Sequence, residues 1–579
     1  MQSPVAMASD AVAPTPEERT ALAEARRRLS MGYAAQAVDG LRQLLAVNPG
    51  LVEAWRLQGI ALGGLRRLDD AEAALRQAWR LAPMQTSAAV SLSELLVASY
   101  RAAEAREVLA PLVARDDADI QVLTAEAAAL KALGRLEDAA SAYERARQSA
   151  PDSAVAEHNL AGVLGELQRF AESEAAVARA FAKGLDAAET WLVHGRALQG
   201  LGDLDGAAGA YEEAIRRRPA FADALGDLAQ LIWMRTEDIA QALAPLDGAM
   251  TQFPYVPDLR ARKARLLEYA GDVAGAYAAL DVNADASLGD PVIQTMAAHL
   301  ASSFDPPVAL AHAERAFALA PGQRAVVAGL AEAQLAAGAA DAAALTAQSM
   351  RERWPLDQHG IGLLAVAWRL TGDPRYRELY DYEHMVRAYR IDPPDGWDTL
   401  ESYLADLAAA LTRLHGFRTH PVGQSLRHGS QTQQNLARSD DPAIRAFFQA
   451  IDGPIRRHIA WLGAGEDPLR CRAAADYAYS GIWSVLLRPG GFHISHLHQM
   501  GWLSSAFYVA LPAAIDRGRE GWIEFGRPGV PTEPPLDAEH AIKPEPGLLV
   551  LFPSYMWHGT VPFSGEDPRL TIAFDLTPA

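Results

Sequence analysis

The sequence predicts a multidomain chain in two parts: an all-α solenoid of repeated helical hairpins, then an α+β domain whose strands close into an antiparallel barrel or jelly roll. Three observations carry that expectation. Prolines recur in a 34-residue register from Pro49 to Pro355. The alanine-rich helical rhythm stops after Trp368. Beyond residue 476, short apolar runs separated by Pro/Gly turns carry a cluster of histidines.

Composition narrows the function classes. The chain has 579 residues, 50% hydrophobic and 22% charged, enough for several domains or one long array with a large core. A formal net charge of −19 argues against a broad basic surface, so no nucleic-acid partner is expected. The single cysteine, Cys471, excludes an internal disulfide framework and a zinc site of paired cysteines; it is expected as a small buried apolar residue. The first residues, MQSPVAMASDAVAPTPEE, lack a basic start and an apolar core, so no secretory signal is expected. No uncharged apolar run reaches the roughly 18 residues of a membrane span. These readings point to the cytoplasm. Residues 1–16 are expected to be disordered.

The repeat is read from the prolines. Pro49 to Pro83 is 34 residues, Pro83 to Pro151 and Pro151 to Pro219 are 68 each, and Pro49 to Pro355 is 306, or nine periods. Small and aromatic residues keep the same offsets. Trp55, Gly59, Ala71 and Ala78 before Pro83 correspond to Trp191, Gly195, Ala207 and Ala214 before Pro219, and Ala139, Tyr143 and Ala146 precede Pro151 in the same way. Small residues belong where two helices cross closely, aromatic ones fill the space between hairpins, and proline ends the second helix. This pattern resembles the tetratricopeptide repeat over residues 17–375, with about ten units, those near Leu185 and 285 being degenerate. The resemblance implies a superhelix whose concave face binds a peptide or protein segment.

After the array, RYRELYDYEHMVRAYRIDPPDGW reads as a linker into a second domain at 376–579. Residues 397–415 and 441–462 predict two amphipathic helices bracing one sheet. YAYSGIWSVLLRPGG, WLSSAFYVALP, GWIEFGRP, GLLVLFPS and RLTIAFDL predict the strands of a β core at about 476–579.

The chemistry is concentrated in that core. GGFHISHLHQMGW holds His493, His496 and His498. On a strand, His496 and His498 share a face, and His493 has the opposite parity. His558 follows in LFPSYMWHGTVPF, then Arg569 and, two residues on, Thr571. Two ligands from one strand and a third from a facing strand leave metal positions open for a co-substrate. A deeper arginine can clamp a distal carboxylate, aided by the threonine hydroxyl.

Residues Trp483 through Asp575 resemble the non-haem iron, 2-oxoglutarate-dependent oxygenases, whose core is a double-stranded β-helix. HLHQMGWLSS and FPSYMWH, with QSLRHGSQT upstream, are closest to a bacterial branch often preceded by tetratricopeptide arrays. The resemblance implies that His496, His498 and His558 hold Fe(II), and that Arg569 and Thr571 bind 2-oxoglutarate, with Tyr508 available to hydrogen-bond its carboxylate. It implies a dioxygenase, a hydroxylase of a peptide or protein brought by the repeats. The alternatives are a non-catalytic scaffold and a small-molecule hydroxylase. One departure matters: most of the superfamily carries H-x-D or H-x-E, and here the second position is His498. Three neutral imidazoles leave the site one negative charge short. Glu524 in GWIEFG is the nearest candidate carboxylate, as ligand or as partner of a ligand. Arg427 is read either as touching substrate or as pairing with an acid. Trp483, Trp502 and Trp522 are expected in barrel packing, and His493 beside the site rather than in it.

Overall fold

The computed structural model describes residues 13–579; the expectation for residues 1–16 falls mainly outside that range. The chain divides into two compact units, one ending at Ala214 and one spanning Ile215–Ala579.

The first unit is a stack of helix pairs, beginning with Pro16–Ser30 and Ala34–Val47, then Val52–Gly64 and Leu68–Leu81. The predicted small residues sit where the two helices of a pair touch. Ala71, Ala78, Ala139, Ala146, Ala207 and Ala214 are at most 1% exposed. A Cβ on Gly59 would lie 2.5 Å from Leu75, and one on Gly195 would lie 2.5 Å from Tyr211, so any larger residue would push the pair apart. The turn within each pair needs one left-handed residue. Gly32, Arg66, Tyr100, Gly134, Gln168 and Gly202 fill that place at the 34-residue period. The indole N–H of Trp55 donates to the Pro49 carbonyl at 2.8 Å, which ties the tryptophan of one unit to the proline that ends the unit before it.

The second unit continues the pairs with Ala222–Thr236 and Ile239–Gln252, Pro257–Tyr269 and a shortened Val273–Ala279, Pro291–Ala301 and Pro306–Leu319, and Arg324–Ala336 and Ala340–Arg353. The shortening falls in the stretch expected to be degenerate. A final helix, Gln358–Thr371, is buried at every residue from Gln358 to Trp368. A helix apolar on all sides belongs inside a core, and this one is covered by the last pair and by the β region. A Cβ on its Gly362 would meet Leu497 at 2.5 Å. One apolar cluster therefore runs from Val327 through Ile361 and Trp368 to Phe507, Tyr555 and Phe574.

The stretch expected as a linker is packed instead. It forms the turns Tyr376–Leu379 and Tyr382–Met385 and the strand β1 (Arg387–Arg390). Tyr376, Leu379, Tyr380 and Met385 are at most 5% exposed, because its aromatic residues fill the seam beside the last helix; Tyr380 OH donates to the Tyr555 carbonyl.

The remaining strands are β2 (Leu426–Gln431), β3 (Tyr477–His493), β4 (Leu503–Ala510), β5 (Ile523–Phe525), β6 (His540–Ile542), β7 (Leu548–Pro553), β8 (His558–Thr560) and β9 (Arg569–Pro578). They form a six-stranded sheet in the order β1-β7-β4-β9-β3-β2 and a three-stranded sheet β6-β5-β8, antiparallel throughout. The helices Leu400–Thr412 and Pro442–Leu462 match the two predicted. Phe447 of the second packs on Phe507 and Phe574 of the large sheet, at ring-centroid distances of 4.9 and 6.4 Å. Cys471 is exposed, contrary to expectation. It lies in the one-turn helix Arg470–Arg472, none of whose residues is buried, because the flanking arginines, rather than the thiol, take the contacts to Asp467 and to the Gly501 carbonyl.

Candidate metal and co-substrate site

His496, His498 and His558 meet: each offers a ring nitrogen within 4.8 Å of the others. The route differs from a regular strand pair. β3 ends at His493, and His496 and His498 lie in the extended segment after it. His496 forms an isolated bridge to His558, each backbone N–H donating to the other's carbonyl at 2.9 Å. The N–H of His498 donates to the Ser554 carbonyl at 2.9 Å. The segment is held by backbone bonds to the residues around β8 rather than by continuing β3, and extended parity still puts Leu497 on the opposite side, against Gly362.

Each ring is oriented by its other nitrogen. His496 Nδ1 lies 2.9 Å from the Ile494 carbonyl, and His558 Nδ1 lies 2.9 Å from the Met556 carbonyl. His498 Nδ1 lies 2.6 Å from Asp575 Oδ2. Carbonyl and carboxylate oxygens only accept, so Nδ1 carries a proton in all three rings, which leaves Nε2 as the nitrogen available to a cation. Burial and the neighbouring His498 push His496 down to about 3, and burial beside His496 and His498 holds His558 well below the usual range. Neutral imidazole is the form a cation needs.

No carboxylate joins the three rings among the described residues. Glu524 faces away, pairing with Arg527 at 3.1 Å. The acid at the site is Asp575 of β9, whose other oxygen accepts from Ser504 Oγ at 2.6 Å. Asp575 was not anticipated, although Arg569, Thr571, Ala573 and Asp575 share one strand face at period two, so the alternation pointed to it. His493 stacks on His496, centroids 5.8 Å apart, and Ser425 Oγ reaches both rings, 2.9 Å from His493 Nδ1 and 3.2 Å from His496 Nε2. Trp483 does more than pack: its ring lies parallel to His498 at 5.9 Å and lines the cavity. Trp502 is buried as expected, and Trp522 donates to the Ile515 carbonyl.

The triad opens into a cavity of about 280 Å³ that Arg569 and Thr571 also line. Arg569 is 2% exposed and makes no ion pair among the described residues; its Nε is buried without a hydrogen-bond partner, as is the Tyr508 hydroxyl. The Tyr508 ring lies 5.1 Å from the guanidinium carbon. A buried, unpaired guanidinium is costly, and an anionic ligand would relieve that cost. The residues therefore fit both groups: three converging imidazole rings for a metal ion, and beyond them a buried guanidinium without an acid partner for a carboxylate. Arg427 makes no ion pair among the described residues, feels the charge of Glu268, and does not enter the triad. It donates to the Gln424 and Leu426 carbonyls and sits 4.8 Å over the Tyr269 ring.

Comparison with known proteins agrees with this architecture. Residues 481–575 match the family described as "Putative 2OG-Fe(II) oxygenase". Residues 188–221 match the tetratricopeptide repeat. The chain thus carries a tetratricopeptide repeat and, at its C-terminal end, a domain of that oxygenase family. Among solved structures it is similar to pilF of Pseudomonas aeruginosa (16% identity, 37% of this chain and 96% of that one, TM-score 0.32). It is also similar to a tetratricopeptide repeat protein of Parabacteroides merdae (16% identity, 42% and 97%, TM-score 0.35). No curated protein matches the chain. No helix among the described residues is long and apolar enough to cross a membrane.

Proposed function

We propose that the chain is an Fe(II)- and 2-oxoglutarate-dependent dioxygenase, a hydroxylase whose peptide or protein substrate is captured by the concave face of the repeats. In this reading the repeats at 17–375 serve capture and residues 376–579 serve chemistry. The observation that carries it is the convergence of three imidazole rings, each with Nδ1 tied to an acceptor, in a cavity also lined by a buried arginine that makes no ion pair among the described residues.

His496, His498 and His558 hold the metal through Nε2. Asp575 fixes the tautomer of His498 and returns, one residue removed, the negative charge that the usual carboxylate ligand would bring. Arg569 takes the distal carboxylate of 2-oxoglutarate, with Thr571 and Tyr508 as additional hydroxyl donors. Phe552, whose ring lies 4.5 Å from that of His558, and Trp483 keep water from the ligand rings. When bound, Fe(II) with 2-oxoglutarate supplies the activation of dioxygen and the oxidation of substrate. A cytoplasmic site of action belongs to the same reading, supported by the single cysteine.

The test is release of succinate from 2-oxoglutarate by protein supplied with Fe(II). Wild-type protein is expected to release it and His558→Ala to abolish it. A wild-type chain that binds neither the metal nor 2-oxoglutarate overturns the proposal. Among the described residues no carboxylate joins the three rings as a ligand, which favours one second reading, a scaffold whose barrel binds without turnover. Metal bound without succinate release would select it.

A further inference from the structure

Ser425, the serine that touches two of the histidines, is held in place from both sides. Before it, residues 417–423 cross the end of the helix Ala222–Thr236, whose last carbonyls have no partner within the helix. The Met234 carbonyl accepts from the backbone N–H groups of Arg418 and Thr419, at 2.9 and 3.3 Å. Gln230 Oε1 accepts from the Val422 N–H at 3.1 Å, and His420 Nε2 donates to the Tyr269 carbonyl at 3.2 Å. On the other side the Ser425 carbonyl accepts from the Ile494 N–H at 3.0 Å. The next residue, Leu426, pairs with His493 where β2 meets β3. With its backbone pinned in this way, Ser425 answers a change at the triad by turning its side chain.

The hydroxyl of Ser425 carries one hydrogen and faces two rings. His496 donates from Nδ1 to the Ile494 carbonyl, so in the neutral ring Nε2, 3.2 Å from Ser425 Oγ, can only accept. The hydroxyl hydrogen goes there. His493 Nδ1, at 2.9 Å, must then donate to Ser425 Oγ. The order is His493 N–H to Ser425 O–H to His496 Nε2. A metal on that Nε2 takes the lone pair that holds the last hydrogen, and the serine becomes a donor in need of a new acceptor. Its place is informative. Arg569 acts electrostatically on His493, and Ser425, His493 and Arg569 line one cavity with the triad. The hydroxyl therefore stands beside the space that a molecule joining the metal to Arg569 must fill.

We propose that Ser425 binds the metal-side carboxylate of the co-substrate, that His493 positions Ser425 for it, and that this donor is released only after the metal binds. The identity of the co-substrate rests on the dioxygenase reading; the donor beside the metal does not.

The experiment uses the full chain without oxygen: titration with Fe(II), then titration of the loaded chain with 2-oxoglutarate and, separately, with oxalate. Oxalate keeps an end that a metal chelates and lacks the distal carboxylate. Ser425→Ala is expected to weaken both anions by at least about tenfold, as losing a hydrogen bond to a charged group does. Its Fe(II) affinity should stay within about threefold of wild type, since the hydroxyl is not a ligand. Arg569→Met is expected to weaken 2-oxoglutarate and leave oxalate unchanged. Ser425→Thr, which keeps the hydroxyl, should restore both anions. His493→Leu should weaken both by about threefold or more with Fe(II) affinity kept. Oxalate bound equally by Ser425→Ala and wild type overturns the proposal, as does a fall in Fe(II) affinity as large as the fall for the anions. Loaded wild-type chain that binds oxalate but not 2-oxoglutarate sinks the dioxygenase reading and leaves the serine to be judged on oxalate; no uptake of Fe(II) sinks both. Circular dichroism of each variant separates lost binding from lost fold.

Discussion

Asp575 is the residue on which the missing carboxylate turns, and Asp575→Asn tests it. Its carboxylate accepts from His498 Nδ1 at 2.6 Å and from Ser504 Oγ at 2.6 Å, and Ser504 lies 2.9 Å from Ser554 Oγ. Asparagine keeps the volume and removes the charge. A hydrogen bond to a charged group contributes about 1.5–3 kcal/mol, against about 0.5–1.5 for a neutral one, so the bond alone loses about 1–2 kcal/mol. The amide has a further effect. If its NH2 faces the ring, His498 must accept at Nδ1 and carry its proton on Nε2, which removes the lone pair a metal needs. Partners behind metal-bound histidines typically account for 10–100-fold in affinity, about 1.4–2.8 kcal/mol, which overlaps the loss from the bond and leaves room for the tautomer. Anaerobic Fe(II) titration should show affinity lowered by about 10–100-fold in Asp575→Asn. Ser504→Ala, which leaves the carboxylate in place, should stay within about threefold. An Asp575→Asn chain that is folded and binds Fe(II) within twofold of wild type would refute the reasoning, because His498 would then need neither the charge nor the tautomer that Asp575 imposes.

Three other outcomes are expected. Arg569→Met should raise the 2-oxoglutarate requirement by at least about thirtyfold, since losing one partner of a buried charge pair costs about 2–5 kcal/mol. The same change should raise the thermal stability of the ligand-free protein, because it removes a buried cation without an acid partner; a fall in stability would mean that Arg569 is structural. Gly501→Ala should destabilise the second unit by about 1–3 kcal/mol and weaken Fe(II) binding with it. Its Cβ would lie 2.2 Å from Ser554 Oγ, displacing the serine that meets Ser504; denaturant unfolding and metal titration read the two effects. Stability should also depend on pH through His415, His420 and His458, which burial pushes down to about 4, about 4 and about 3. Between those values and the unfolded value near 6.5 the unfolded chain binds more protons. Stability therefore rises with pH across that window and is lost as pH falls through it, by up to about 1.4 kcal/mol per pH unit for each histidine. Urea midpoints that stay flat from pH 6.5 to 4.5 would contradict this.

Much of this molecule is local in the chain. The 34-residue period is written in the prolines and in Gly59, Ala71 and Ala78, because each hairpin repeats the same close crossing. The strands were legible from apolar runs and turns, and the spacing of His496, His498 and His558 is compatible with the meeting of their rings, in a cavity that Arg569 and Thr571 also line. Four features were not. The packing of residues 376–390 depends on Tyr376 and Tyr380 finding the last helix, a contact between elements that composition alone reads as a break. His496 and His498 leave β3 and are held by backbone bonds to His558 and Ser554, which no pattern of side chains encodes. Asp575 lies 77 residues from His498, and Tyr269 reaches the cavity from the repeats. Periodicity reports which face a residue occupies on its own element; which distant residue stands opposite that face is settled when helices and sheets pack, since burial rewards total apolar area and leaves the choice of polar partners to the geometry that results.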